Sequence, residues 1–90
     1  MHTYTSLDFS DKFLDHLVKK GFGAAEHRQI AKALVQLDVD ETHSSLNVHQ
    51  LHGREDDMWT AYVSKSIRIT FARTSGGRKS LVSCSRHYDD

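Results

Sequence analysis

Ile67-Arg68-Ile69-Thr70-Phe71 alternates apolar and polar side chains with a period of two. That period belongs to a strand with one face buried and the other solvated. It assigns Ile67, Ile69 and Phe71 to a core and turns Arg68 the other way, where a ligand could reach it. The pattern spreads on either side. Trp59, Ala61 and Val63 alternate with Thr60 and Tyr62, and Leu46 and Val48 alternate with Asn47 and His49. Leu81 to Arg86 is a further β-rich stretch. Gly53 to Asp57, Ser64-Lys65-Ser66 and Thr74 to Gly77 read as the turns between them. Short successive connections favour antiparallel neighbours.

Toward the N-terminus the period becomes helical. A short strand is expected over Thr3 to Leu7. Phe9-Ser10-Asp11 then reads as a helix start: Ser10 caps free amides, Asp11 suits the positive end of the dipole, and Phe9 staples against Leu14. Phe13, Leu14, Leu17 and Val18 form one apolar stripe, and Lys19-Lys20-Gly21 is a stop signal. A second helix is expected over Ala25 to Leu37, with Ile30, Ala33, Leu34 and Leu37 inward. The glycine-containing link from Lys20 to Ala24 makes the two helices a hairpin. Asp38 to Ser45 reads as a loop. The fold class is α+β: an N-terminal strand and a two-helix hairpin packed on one face of a twisted antiparallel sheet.

A chain of 90 residues calls for one domain, residues 1–90. At this size folding buries a little over ~60% of the unfolded surface, so the core is thin and a partner adds stability. No apolar run approaches the ~20 residues of a membrane span, and no membrane partner is expected. The first residues lack the basic and apolar regions of a signal peptide. The single cysteine, Cys84, has no disulfide partner within the chain. A cytoplasmic location is expected. Formal net charge is zero, from 12 basic and 12 acidic residues, which argues against a whole-molecule drive toward nucleic acid. Lys65, Arg68, Arg73, Arg78, Lys79 and Arg86, however, follow one another without an intervening acid. They make a local basic patch or, read plainly, a solvated strand face.

The chemistry-bearing residues are two histidines, two arginines and a tyrosine. RNA carries its own nucleophile, the 2′-hydroxyl. Its attack on the adjacent phosphate needs a base, an acid for the departing 5′-oxygen and a cation for the phosphorane. An unperturbed imidazole titrates near ~6.5 and serves as either base or acid. Arginine binds phosphate oxygens with a planar fork. His49 is the candidate base, His87 the candidate acid and Arg68 the main phosphate ligand. Arg86, Lys79, Arg73 and His52 are candidates for further RNA or phosphate contacts, and Tyr88 for stacking or proton donation. Taken singly, His49 or Arg68 fits a solvated strand position equally well; the joint pattern favours chemistry.

Other sites fit less well. His49 and His52 are three apart, so a strand points them to opposite faces, and no metal or other cofactor is expected. There is no G-x-S-x-G elbow. Cys84 lies in a β-rich stretch and reads as packing. Gly76-Gly77 reads as a hairpin turn rather than a phosphate loop.

In this order the pieces resemble the RelE/ParE toxin superfamily, particularly its HigB-like and YoeB-like branches. His49-Gln50-Leu51-His52-Gly53 resembles an H-x-L-x-G block of HigB-like members. Ile67 to Phe71 resembles the arginine-bearing central strand of the superfamily, and His87-Tyr88 resembles the close of YoeB-like toxins. The resemblance implies a RelE-like, microbial-RNase-like fold. It also implies the toxin of a type II toxin–antitoxin system: a metal-independent endoribonuclease that cuts mRNA, usually on the ribosome, and is neutralised by a cognate antitoxin. It casts His49, Arg68, His87 and Tyr88 in the catalytic positions. Gln50 and His52 depart from H-P-L-K-G, and Ala61-Tyr62 stand where a second arginine often follows the tryptophan. These departures keep two alternatives open: a ParE-like DNA gyrase inhibitor, and a catalytically decayed protein that binds its antitoxin.

Overall fold

The computed structural model describes residues 2–51 and 57–86. The elements are β1 (Leu7–Phe9), α1 (Asp11–Lys19), α2 (Ala24–Val39), a 3-10 turn (Ser44–Leu46), β2 (His49–Gln50), β3 (Met58–Tyr62), β4 (Ile67–Arg73), a second 3-10 turn (Ser75–Gly77) and β5 (Lys79–Arg86). Five strands form one sheet in the order β1-β5-β4-β3-β2. All neighbours are antiparallel except β1, which lies parallel to β5. The fold is α+β, with both helices packed on the sheet, as the sequence predicts.

The N-terminal strand begins later than expected, at Leu7. The carboxylate of Asp38, at the end of α2, accepts the amides of Thr5 (3.2 Å) and Ser6 (2.7 Å). Those two donors are thereby engaged by a helix end and unavailable to a neighbouring strand. Beyond them Leu7 pairs with Lys79 and Phe9 with Leu81.

Helix α1 starts at the expected cap: the Phe13 amide donates to Ser10 Oγ at 3.0 Å. Its stripe is narrower than the apolar residues suggest. Phe13 is fully buried and Leu17 packs on the core, whereas Leu14 and Val18 are 45% and 80% exposed. One position of offset is ~100° around a helix, enough to carry both outward. Phe9 consequently meets the Phe13 ring, 5.9 Å away, in place of the expected staple on Leu14. Gly21, at φ +71°, takes the left-handed conformation that ends the helix. In α2, Ile30, Ala33, Leu34 and Leu37 are all buried as the spacing predicts.

Ile67, Ile69 and Phe71 are at most 1% exposed and form the centre of the core. Leu46 is buried too, but from the 3-10 turn, so the expected strand around Leu46 and Val48 contracts to His49–Gln50. The expected Ser64–Ser66 turn is present: the amides of Val63 and Ser64 both donate to the Ile67 carbonyl, at 2.9 and 3.2 Å. In β5 a bulge interrupts the alternation. Thr70 pairs with Ser83 and Phe71 with Leu81, leaving Val82 over. The extra residue resets which side chains face the helices. Leu81 and Cys84, three apart, are both fully buried, and Arg86 follows Cys84 onto that side.

Candidate functional site

The face of the sheet turned away from the core can be read from the register. His49 pairs with Thr60, Tyr62 with Arg68, and Arg68 with Ser85. Residues directly opposite share a face, as do residues two apart on one strand. His49, Tyr62, Arg68 and Ser85 therefore form a row across β2, β3, β4 and β5 on the side opposite Ile67 and Ile69.

Two contacts give this row its chemistry. The His49 ring meets the Tyr62 ring edge-on, with centroids 5.8 Å apart and planes at 82°. His49 Nδ1 lies 2.7 Å from the Asn47 carbonyl oxygen. A carbonyl only accepts, so Nδ1 carries the proton and, in the neutral ring, Nε2 keeps its lone pair. Asn47 holds that carbonyl in place from a left-handed conformation, φ 43° and ψ 49°, which asparagine tolerates better than most residues. The pairing thus prepares His49 to accept a proton at Nε2.

Beside the row, at the β3–β4 turn, is a cleft of about 70 Å³ lined by Tyr62, Ser64, Lys65, Ile67 and Arg68. Ordinary ligand pockets run to ~300–1,000 Å³, so this one suits a single small group. Among the described residues that line it, two are cations and none is an acid. Such a cleft suits an anion the size of a phosphate.

Arg86, Lys79 and Arg73, expected from the sequence to help bind phosphate, do not join Arg68. Arg86 pairs with Ile67 and so faces the helices. Its guanidinium donates to the carbonyls of Lys20 (2.6 Å) and Gly21 (3.2 Å) at the end of α1, and to Glu26 Oε1 (3.1 Å). It also covers the Phe22 ring, 4.7 Å from its centroid. Lys79 is 4% exposed, donates to Ser6 Oγ at 3.0 Å and lies 3.4 Å from Glu41. Arg73 forks onto both oxygens of Glu41 and lies 4.3 Å over the Trp59 ring. Hydrogen bonds from Arg73 lead the influences that hold the Glu41 carboxyl below its ordinary range. The basic run of the sequence is therefore divided: Lys65 and Arg68 border the cleft, and Arg73, Lys79 and Arg86 bind the sheet to its surroundings. His52, His87 and Tyr88 lie outside the described residues.

Sequence reasoning did not single out Tyr62 as a site residue, and it placed Lys65 in a turn and a charge run without assigning it to the site. Both were within reach. A tight turn over Ser64–Ser66 makes Tyr62 and Arg68 cross-strand partners, and it leaves Lys65 at the tip beside them.

Near the end of β3 a larger groove, about 350 Å³, runs between α2 and the first 3-10 turn. Tyr62 lines both this groove and the small cleft.

No protein-family model and no curated protein matches the sequence. Solved structures do match the fold. The RelE–RelB complex from Pyrococcus horikoshii OT3 contains a chain similar at TM-score 0.69 with 15% identity, over 94% of this chain and 96% of that one. A YoeB/ParE toxin from Agrobacterium tumefaciens is similar at TM-score 0.71 with 15% identity, over 93% and 100%. The Escherichia coli DinJ–YafQ complex contains a chain similar at TM-score 0.63 with 12% identity, over 92% and 93%. At such identities the likeness is one of fold, and it spans nearly the whole length on both sides. The chain has the fold of these RelE, YoeB/ParE and YafQ structures.

Proposed function

We propose that this protein is the toxin of a type II toxin–antitoxin pair and acts as a metal-independent endoribonuclease on messenger RNA. The observation that carries the reading is the row His49–Tyr62–Arg68, with an imidazole prepared as a base two strands from a cationic cleft. His49 Nε2 takes the proton of a ribose 2′-hydroxyl. The freed oxygen attacks the adjacent phosphorus, and the phosphorane charge falls to Arg68, with Lys65 beside it. The bond to the 5′-oxygen breaks, leaving a 2′,3′-cyclic phosphate and a 5′-hydroxyl. The departing oxygen needs a proton; His87 is the candidate donor and Tyr88 its neighbour, on sequence resemblance alone. His52 is a candidate RNA contact on the same ground.

The partner is proposed by analogy of fold: two of the similar structures are complexes with a second protein, RelB in one and DinJ in the other. A cognate antitoxin would neutralise this chain by covering the Arg68 face. The substrate is mRNA, met on the ribosome, and the place of action is the cytoplasm.

The test pairs two assays on the purified protein. Incubation with ribosomes carrying mRNA should give fragments ending in 2′,3′-cyclic phosphate, and gyrase supercoiling should be unaffected. Intact RNA beside inhibited gyrase would overturn the nuclease in favour of a gyrase poison. That second reading has one observation behind it: with Arg73, Lys79 and Arg86 turned to the helix side, Lys65 and Arg68 are the cations among the described residues that line the cleft. Intact RNA and normal gyrase together would favour a decayed, antitoxin-binding protein.

A further inference from the structure

The proposal concerns the larger groove and rests on the ribonuclease reading. Three of its residues, Gln29, Lys32 and Gln36, stand on one side of α2 at helical spacing. Across from them are His43, which caps the 3-10 turn, and Leu46 within it, and Tyr62 lines both groove and cleft. The volume of about 350 Å³ falls within the range of small-ligand pockets, unlike that of the cleft.

The walls supply recognition chemistry of one kind. Each glutamine offers a carbonyl acceptor and two amide donors, the complement of a nucleobase edge. The Ser45 amide donates to His43 Nδ1 at 3.2 Å, so Nδ1 is an acceptor and the neutral ring carries its proton on Nε2. His43 thus adds a donor. Lys32 adds a positive charge, and none of the described residues that line the groove is an acid. Leu46 and Val63 back the groove, and Tyr62 lines its end. Unpaired RNA bases are bound through hydrogen bonds along their edges, which such polar walls allow. An acidic or apolar helix would find fewer complements among two amides, an imidazole and a single ammonium.

We propose that this groove is a nucleobase subsite. It takes one unstacked base of the RNA strand whose phosphate lies at Arg68 and Lys65, and Tyr62 is the shared wall that sets the two at adjacent positions.

Amide-detected NMR titration of the whole chain tests this with three probes: adenosine 3′-monophosphate, uridine 3′-monophosphate and inorganic phosphate. Either nucleotide should shift the side-chain amide signals of Gln29 and Gln36 and the backbone signals of Tyr62 and Lys65. Phosphate should shift only Lys65 and its neighbours. Gln36→Ala should weaken nucleotide binding roughly fivefold, the worth of about one hydrogen bond, with phosphate binding unchanged. Nucleotides that move the cleft but leave Gln29 and Gln36 still would overturn the subsite. So would a synthetic acidic amphipathic peptide that shifts Gln29 and Gln36 where nucleotides do not, because the groove would then belong to a protein partner. Cleavage assays separate the two readings. RNA cleavage lost in Arg68→Ala beside unmoved glutamines ends the subsite alone; shifted glutamines beside an intact RNA substrate end the nuclease alone.

Discussion

Arg68 and Arg86 lie on adjacent antiparallel strands and on opposite faces of the sheet, because Arg68 pairs with Ser85 and Arg86 with Ile67. The same side-chain type therefore meets two environments. Arg68 borders an open cationic cleft. Arg86 closes the end of α1 by donating to the Lys20 and Gly21 carbonyls and to Glu26. This division makes the two arginines separable by experiment.

Arg68→Ala should lower the RNA-cleavage rate by about 10²-fold or more, the usual loss when a charge-stabilising donor is removed, with the variant's fold checked by urea unfolding. Equal cleavage by a well-folded variant would remove Arg68 from the chemistry.

Arg86→Ala should do the reverse at the level of the fold. It strands two helix-end carbonyls and a carboxylate, a loss of roughly 2–3 kcal/mol in urea unfolding. Arg86→Lys should recover little of it, since one ammonium does not reproduce a fork reaching two carbonyls and a carboxylate.

His49→Ala should slow cleavage by about 10²- to 10⁴-fold, the range of a lost general base. The loss should concentrate in kcat, since the imidazole acts on the reacting proton. A change confined to KM would make His49 a binding residue.

Asp38 should set part of the acid sensitivity of the fold. Burial opposes its ionisation, yet hydrogen bonds from Ser6, His2 and Thr5 prevail and hold the carboxyl far below its ordinary range. A carboxyl depressed in the folded state contributes stability above the unfolded value of ~3.9, and that contribution is lost as the pH falls through the folded value. Thermal unfolding from pH 7 to 2.5 should therefore show a declining Tm below pH ~4. Asp38→Asn should flatten that decline and cost roughly 2 kcal/mol at pH 7. An unaltered acid limb in the variant would assign the sensitivity to other carboxyls.

Cys84 should be chemically silent. Burial pushes its thiol up to about 12, and its side chain is fully buried. Thiolate is the reactive form. Iodoacetamide at pH 8 should label the unfolded chain at least a hundredfold faster than the native one. Comparable rates would show that β5 opens readily.

The helices and central strands were readable because their period is local. Ile30–Leu37 and Ile67–Phe71 state their buried faces within a few residues. The site was readable in part. His49 and Arg68 share a face because alternation and a tight turn decide it. Arg73, Lys79 and Arg86 lie apart from Arg68 for reasons the local pattern does not carry. Arg73 shares the parity of Phe71, yet its exposed end of β4 gave no hint of Glu41, which comes from a distant loop. For Arg86 the fault lies in Val82. Strict alternation from Leu81 would send residue 86 outward; the one-residue bulge, which no local pattern announces, sends it in. The delayed start of β1 is likewise a long-range effect, set by Asp38.

Leu7–Phe9 finds its strand partner at Lys79–Leu81, almost the whole described chain away. During synthesis the first strand must therefore wait for the last. While β5 is still inside the ribosomal tunnel, β1 and β4 each lack a neighbour, and Arg68 is without Ser85 beside it. A pairing so distant in sequence forms slowly and late. The newborn chain thus passes its elongation without a finished sheet, and the face that carries His49 and Arg68 is completed only after the last strand has emerged.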